Sequence, residues 1–380
     1  MATALTRRSF LAAGTALGFG GPAAAQKGPP DVAARPSRPK FDLQEVARFQ
    51  HQVTGVAASS DGRLFVNFPR WTEDAPISVA ELMRDGSLKP YPDDSWNAWR
   101  NAEAAKMQPG DHFVCVQSVV ADGGNLWVLD AAAPDNEKVI ANGPKLVRIE
   151  LSSNKVAQII RFGEDVALQG SYLNDVRIHP DGRTAFVTDS GARGAIVIVD
   201  LESGKSHPVL DGHPSTQPDK TVQIHVDGQV IQRPDGRGFT VGADGIAVSN
   251  DGKTLYWQPL TSRTLYSIDT ATLMAADPEE AGRKVSKAGQ SNVADGLLMT
   301  RDNHLYLTSL EDNSVRIWDG DRSRIVVEDP RLRWPDSLSE APDGSLYVTA
   351  SHIPDSAWFN ASAPRAVPTQ LFRMVRSASG

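Results

Sequence analysis

Six stretches of the chain repeat one plan, and that repetition limits the possible folds more than any other feature of the sequence. They are VTGVAASSDGRLFVNF from Val53, VQSVVADGGNLWVLD from Val116, NDVRIHPDGRTAFVTD from Asn174, GADGIAVSNDGKTLYW from Gly242, ADGLLMTRDNHLYLTS from Ala294 and PDSLSEAPDGSLYVTA from Pro335. Each reads as an alternating apolar strand, a short turn of Asp-Gly type, and a second strand with an aromatic: Phe65, Trp127, Phe186, Tyr256, Tyr306 or Tyr347. Period-two alternation around a tight glycine turn marks a β-hairpin, and aromatics favour half-buried strands.

Third strands follow in SVAELMR, PKLVRIEL, GAIVIVDL, RTLYSID, SVRIWDG and QLFRMVR, and fourth strands are visible in VAQIIRF and SRIVVED. A four-stranded unit repeated at this spacing cannot bury its faces alone, and stacking the units around an axis does so. The expectation is therefore all-β: a six-bladed β-propeller with four-stranded blades around a central channel, over residues 41–376. No Trp-Asp repeat signature is present. The last copy lacks an evident fourth strand, and FDLQEVARF at 41–49 is placed to supply it and close the ring. The main helical candidate is SWNAWRNAEAAKM at 95–107, with Ser95 as its cap.

The first 25 residues belong to a different argument. Paired Arg7 and Arg8, a short apolar run interrupted by glycines, and Ala23-Ala24-Ala25 read as a twin-arginine export signal, too short and broken to serve as a membrane anchor. A Pro-rich leader covers residues 26–40. Export in a folded state makes disulfides unnecessary, in keeping with the single Cys115, whose apolar neighbours suggest an inert thiol. Periplasmic or secreted location and a monomer without a membrane anchor are expected. With 39 basic and 46 acidic residues and no basic block, nucleic acid is excluded as a partner.

Using the apolar strands to fix the register, one equivalent position at the start of each first strand is held by Thr54, Gln117, Asn174, Asp244, Asp295 and Asp336. First strands are innermost in a propeller, so these residues would form a polar ring at one end of the channel. Three aspartates brought together there must take up protons or meet a cation. Oxygen ligands from Asn174, Asp244, Asp295 and Asp336 suit calcium or magnesium. The alternative is that each aspartate caps its own turn through nearby amides.

Long loops gather on the same end, whereas the Asp-Gly turns lie opposite, and such loops on a rigid scaffold carry binding sites. They hold Arg70, Trp71, Asp130, Asp189, Arg193, His213, Trp334, His352 and Trp358. A small aromatic or carbonyl compound suits a pocket walled by tryptophans with a few polar groups. Ligand contacts are expected from Arg70, Trp71, Gln117, Asp130, Asp189, Trp334 and His352, and proton transfer from Asp295, Asp336 or His213.

The motifs VNFPRW, YPDDSWN, YLNDVRI, FVTDSG and GADGIAVSNDGKTLYWQPL, in this order, resemble the bacterial branch of the major royal jelly protein/yellow family over about Phe41 to Arg376. The resemblance implies a six-bladed propeller. It also implies dopachrome conversion, pigment formation or binding of biogenic amines, functions associated with insect members. The fold is similar to that of gluconolactonase, regucalcin and paraoxonase, whose channel metal is held by Glu, Asn and Asp. Asn174 and Asp244 stand at comparable positions, but Thr54 replaces the Glu of the first blade. Two functions are thus expected to compete: an enzyme, either a metal-dependent lactone or ester hydrolase or a dopachrome-tautomerase-like isomerase, and a non-catalytic binder of aromatic or amine metabolites.

Overall fold

The structure, a computed structural model, describes residues 41–377 apart from 137, 276 and 365. The export signal at 1–25 and the leader at 26–40 lie outside the described residues. The described chain forms six four-stranded antiparallel sheets. Blade one runs through Gly55–Ala58, Leu64–Asn67, Val79–Leu82 and Leu88–Pro90. Blade two is Val116–Asp122, Asn125–Asp130, Lys145–Glu150 and Lys155–Arg161. Blade three is Leu173–Ile178, Thr184–Asp189, Ala195–Asp200 and Ser206–Val209. Blade four is Ala243–Val248, Thr254–Pro259, Thr264–Asp269 and Ser286–Gln290. Blade five is Leu297–Met299, Leu305–Ser309, Ser314–Trp318 and Ser323–Glu328.

Blade six is built from both ends of the propeller. Pro335–Glu340, Leu346–Ala350 and Thr369–Arg376 receive Phe41–Phe49 as their outer strand, with Phe41 opposite Arg376 and Phe49 opposite Thr369. The first and last segments of the propeller are thereby hydrogen-bonded to each other, and the ring has no open radial gap. The first strand of every blade packs against the first strands of both neighbours, so all six surround one axis.

Alternation places the second-strand aromatics where the sequence pattern requires them. Phe65 and Phe186 are fully buried between sheets, and Trp127 joins Leu129 and Leu146 of blade two against Val176, Ala185 and Val187 of blade three. Each such aromatic contributes about 2–3 kcal/mol through burial. This inter-blade packing is what the repeat encodes.

The helical segments differ from expectation. Ser95 caps no α-helix; residues 96–100 remain irregular and a 3₁₀-helix begins only at Asn101–Lys106. The reason is tertiary. Trp99 is fully buried, and Asn97 spends its side chain on loops, its Oδ1 accepting from the Ser78 and Val79 amides and its Nδ2 donating to the Tyr91 and Asp93 carbonyls. A continuous helix would pull both residues away. The α-helices lie instead at Thr270–Ala275 and Pro278–Lys284, between the last two strands of blade four. Asp277 caps the second, accepting from the Glu280 amide at 2.9 Å, with Pro278 in the first turn.

Candidate functional site

The polar ring is assembled by a local irregularity that recurs from blade to blade. In blades three, four and six the strand register slips at the ring residue: between Leu173 and Val176, Ala243 and Ile246, and Pro335 and Leu338. Blade two slips between Val116 and Ser118, around Gln117. A bulge re-aims one side chain out of the ladder. Here it releases Gln117, Asn174, Asp244 and Asp336 from the inter-blade core toward the axis, where with Asp295 they line one small space.

Hydroxyl groups on the second strands hold the bulges and join the blades. Thr188 accepts from the Asp175 amide at 3.1 Å and donates to the Asp244 carbonyl of the next blade at 2.7 Å. Thr349 accepts from Ser337 N–H and donates to the Thr54 carbonyl of blade one at 2.9 Å. Asn67 plays the same part between blades one and two, its Nδ2 reaching Thr54 Oγ1 and the carbonyls of Val116 and Gln117. Thr54 is consequently absorbed in this linkage.

Glycine follows two of the acids because the next blade comes too close for a side chain. A Cβ on Gly245 would stand 2.2 Å from the Asp295 carbonyl oxygen, and one on Gly296 would stand 2.0 Å from that of Asp336. The Ala-Asp-Gly pairs at 243–245 and 294–296 therefore record both an axial acid and the close approach behind it.

Asp244, Asp295 and Asp336 are nearly inaccessible to solvent. None caps its own turn. Asp295 Oδ2 accepts from the Trp334 indole at 2.7 Å, and Asp336 Oδ2 accepts from Ser351 Oγ at 3.0 Å. The Asp244 carboxyl shares a hydrogen bond with Asp295 and has no other side-chain donor among the described residues. Burial holds all three acids above the usual carboxylate range, and mutual repulsion adds to it for Asp244 and Asp336. Asp295, relieved by Trp334 and Asp244, is pushed up to about 6. The Asp244 and Asp295 carboxyls are close enough for each to influence the other's titration.

Above the acids lies a narrow cleft with aromatic walls. Trp71 and Trp358 pack with centroids 4.6 Å apart and planes tilted by 33°, Phe239 meets Trp334 edge to face at 6.2 Å, and Tyr172 links the wall to the ring. Its hydroxyl accepts from Trp71 Nε1 at 2.6 Å and donates to Gln117 Oε1 at 2.8 Å. Trp334 is almost wholly buried, with a left-handed backbone at φ 54°. Such a conformation costs a bulky residue on the order of 1–3 kcal/mol and gathers at functional sites.

The structure thus brings together Trp71, Gln117, Asn174, Asp244, Asp295, Trp334, Asp336 and Trp358. The remaining sequence candidates do not line this pocket. Arg70 is fully buried and donates to the carbonyls of Ala75, Asn97 and Phe113. Asp130 is fully buried against Lys145 Nζ at 2.7 Å and accepts from the amides of Val114, Cys115 and Ala132. Asp189 holds the amides of Tyr172 and Gly191. His213 bonds Ser215 Oγ and packs beside Gly282 of the helix 278–284, and burial lowers its pKa. His352 bridges Asp355 and Gln370. Arg193 donates to Asp211 and to the carbonyls of Asp165 and Val166. These groups order loops. A loop's polar side chain looks the same in sequence whether it meets a ligand or a backbone amide. Tyr172 and Phe239 went unseen; Tyr172, two residues before Asn174, was within reach of the ring register.

The donor set at the floor is all oxygen, as calcium or magnesium requires. Its arrangement is another matter. Among the described residues no group of three or more His, Cys, Asp or Glu side chains is disposed to hold a metal ion. An indole donor already occupies one oxygen of Asp295, and the hydroxyls of Ser351 and Ser337 reach both oxygens of Asp336.

Comparison with known structures gives the fold. A gluconolactonase from Xanthomonas campestris superposes with a TM-score of 0.54 at 12% identity, covering 89% of this chain and 90% of its own. Luciferin-regenerating enzyme does so with a TM-score of 0.54 at 12% identity, over 89% and 96%. The calcium-binding regucalcin of Agrobacterium tumefaciens gives 0.50 at 13% identity, over 86% and 90%. In sequence, major royal jelly protein 6 of Apis mellifera is 23% identical over 256 residues, 63% of this chain and 54% of the relative. Major royal jelly protein 1 of the same species is 22% identical over 281 residues, 69% and 60%. The chain thus spans little more than half the length of these relatives. Residues 115–356, the greater part of the six blades, match the family described as Major royal jelly protein, and the chain belongs to it.

Proposed function

We propose that this protein acts on a small aromatic compound held between the tryptophan walls, with Asp295 as the group that exchanges a proton with it. The observation that carries this reading is the placement of Asp244 and Asp295 side by side on the floor of an aromatic pocket, where burial pushes Asp295 up to about 6. A carboxyl poised there can both take and return a proton near neutral pH, the requirement for general acid–base work. Moving a proton within a catechol-like ring, as a tautomerase does, needs no other group. Trp71 and Trp358 would supply ring faces, Gln117 and Asn174 would orient ligand oxygens, and Asp336 would keep the floor acidic.

A second reading is sequestration of an aromatic amine. It is favoured by the lack of any other side-chain donor on Asp244 within an acidic floor, which a ligand ammonium would fill, with the indoles adding cation–π attraction. Hydrolysis of a lactone or ester through a calcium or magnesium ion has weaker support, since the acids as arranged form no metal cluster; no step is assigned to such an ion. Export to the periplasm by the twin-arginine route, resting on Arg7 and Arg8, and action as a monomer without nucleic acid complete the proposal.

The test is calorimetry against a panel of aromatic amines and catechols, with dopachrome and lactone turnover measured alongside. Isomerisation abolished in Asp295→Asn with ligand affinity retained supports the first reading. Tight amine binding without turnover supports the second. Neither binding nor turnover, in protein with and without added calcium or magnesium, overturns both.

A further inference from the structure

The acids can be approached from below as well as from above. The space under the ring shares Asp244, Asp295 and Asp336 with the aromatic pocket, and shares Ser118, Asp175 and Ser337 with a solvent-open funnel at the opposite end of the axis. The funnel opens among the Asp-Gly turns, its rim including exposed Ser60, Asp122 and Gly124. Three consecutive spaces with common walls therefore run along the axis, from the loop face through the acids to the turn face.

The lining of the lower half is mixed polar and apolar, and its charged side chains are Asp122, Asp175 and Glu340 against Arg177 and Arg301. Asp175, the residue after ring member Asn174, is fixed by three donors: Ser118 Oγ at 2.8 Å, Arg177 Nη1 at 2.6 Å and the Val176 amide at 2.9 Å. Arg177 is spent on Asp175 and on the Leu297 carbonyl, and Arg301 pairs with Glu340 at 3.2 Å. Both cations of the funnel are thus matched, which leaves Asp122 at the rim in excess, and above the neck Asp295 adds negative charge once pH exceeds about 6. A narrow passage lined by one sign of charge concentrates the opposite ion.

We propose that the lower half of the channel is a cation-selective passage through which hydronium or a small metal ion reaches the Asp244–Asp295–Asp336 ring from the turn face while the aromatic pocket is occupied from the loop face. Ser118, Asp175 and Ser337 form its neck. The passage stands whether the compound above is isomerised or merely bound, because it concerns access to the acids.

Cysteine labelling of the whole protein tests this, and Cys115 gives a silent background because it is fully buried with its thiol pushed up to about 12. Ser337→Cys and Ser118→Cys, each near-isosteric, are treated at low salt with trimethylammonium-ethyl and sulfonato-ethyl methanethiosulfonates. The cationic reagent is expected to react roughly tenfold faster than the anionic one, with the ratio falling when Asp175→Asn is added. Val120→Trp, which narrows the funnel, is expected to slow labelling; Ile353→Trp, which fills the aromatic pocket, is expected to leave it unchanged. Labelling of both cysteines no faster than Cys115, equal rates for the two reagents, or slowing by Ile353→Trp in place of Val120→Trp would overturn the passage. Because labelling reads neither turnover nor ligand affinity, failure here is distinct from failure of the proposed function.

Discussion

The Trp334 indole N–H lies 2.7 Å from Asp295 Oδ2, so one residue both walls the aromatic pocket and sets the charge state of its floor. The bond favours the ionised form of Asp295, opposing the burial that raises its pKa. It also accounts for a tryptophan kept at a left-handed φ of 54°, where a glycine would sit without strain.

Trp334→Phe keeps most of the wall and removes the donor. The Asp295 titration, followed by carboxyl NMR, is expected to move up from about 6. Stability at neutral pH is expected to fall by about 1.5–3 kcal/mol, the worth of a hydrogen bond to a charged group. An unchanged titration would mean that the indole is only packing.

Asp130 and Lys145 form a fully buried pair 2.7 Å apart, away from the pocket. Burial depresses the Lys145 pKa, and Asp130 together with the Pro109 and Gly143 carbonyls compensates. Asp130→Ala leaves an uncompensated buried ammonium and is expected to cost about 3–5 kcal/mol by denaturant unfolding. Ligand affinity of the folded fraction is expected to be unchanged. A selective loss of affinity without loss of stability would return Asp130 to the binding residues.

These two acids mark where the sequence could be read and where it could not. Asp295 was legible because it recurs: the same position in six hairpins carries a polar residue, and position within a repeat fixes direction relative to the axis. Phe41–Phe49 was legible as the closing strand for a similar reason, since the sixth unit was one strand short. Asp130 sits at the end of a second strand, a position Asp189 shares, and there the carboxylate serves backbone amides of the preceding segment. Nothing in the local pattern distinguishes that use from ligand binding. The stretch 95–107 misled differently: its composition suits a helix, but Trp99 and Asn97 are claimed by contacts with segments distant along the chain. Pocket walls such as Phe239 come from single loops that no repeat indexes.

Gly296→Ala tests the close approach of blades five and six. The added methyl would stand 2.0 Å from the Asp336 carbonyl oxygen, which is backbone and has no rotamer to yield. A loss of several kcal/mol is expected, beyond the ordinary range of about 0.5–3 kcal/mol for point changes, read by thermal or denaturant unfolding. Gly62→Ala is the comparison. Its methyl meets nothing within 4 Å, and only the positive φ of 83° is penalised, so it should cost far less.

The acid ring should make stability depend on pH in the direction opposite to a salt-bridged carboxylate. An Asp whose pKa is raised on folding holds its proton more tightly in the folded protein than in the unfolded chain. Its contribution is complete below the ordinary value of 3.8 and is lost as pH rises through the folded value, about 6 for Asp295, with Asp244 and Asp336 raised in the same direction. The melting temperature is therefore expected to fall as pH rises across this window. Asp189, also raised by burial, works in the same sense, so the ring's share is isolated by comparison with Asp244→Asn, which should flatten the slope and melt higher than the parent at the alkaline end. A cationic ligand that replaces the lost protons would raise the parent's melting temperature most where the acids are ionised, by mass action on the folded state. An aromatic amine that does so in the parent and not in Asp244→Asn would identify the ring as its counter-charge. Stabilisation equal in both proteins would put the amine elsewhere.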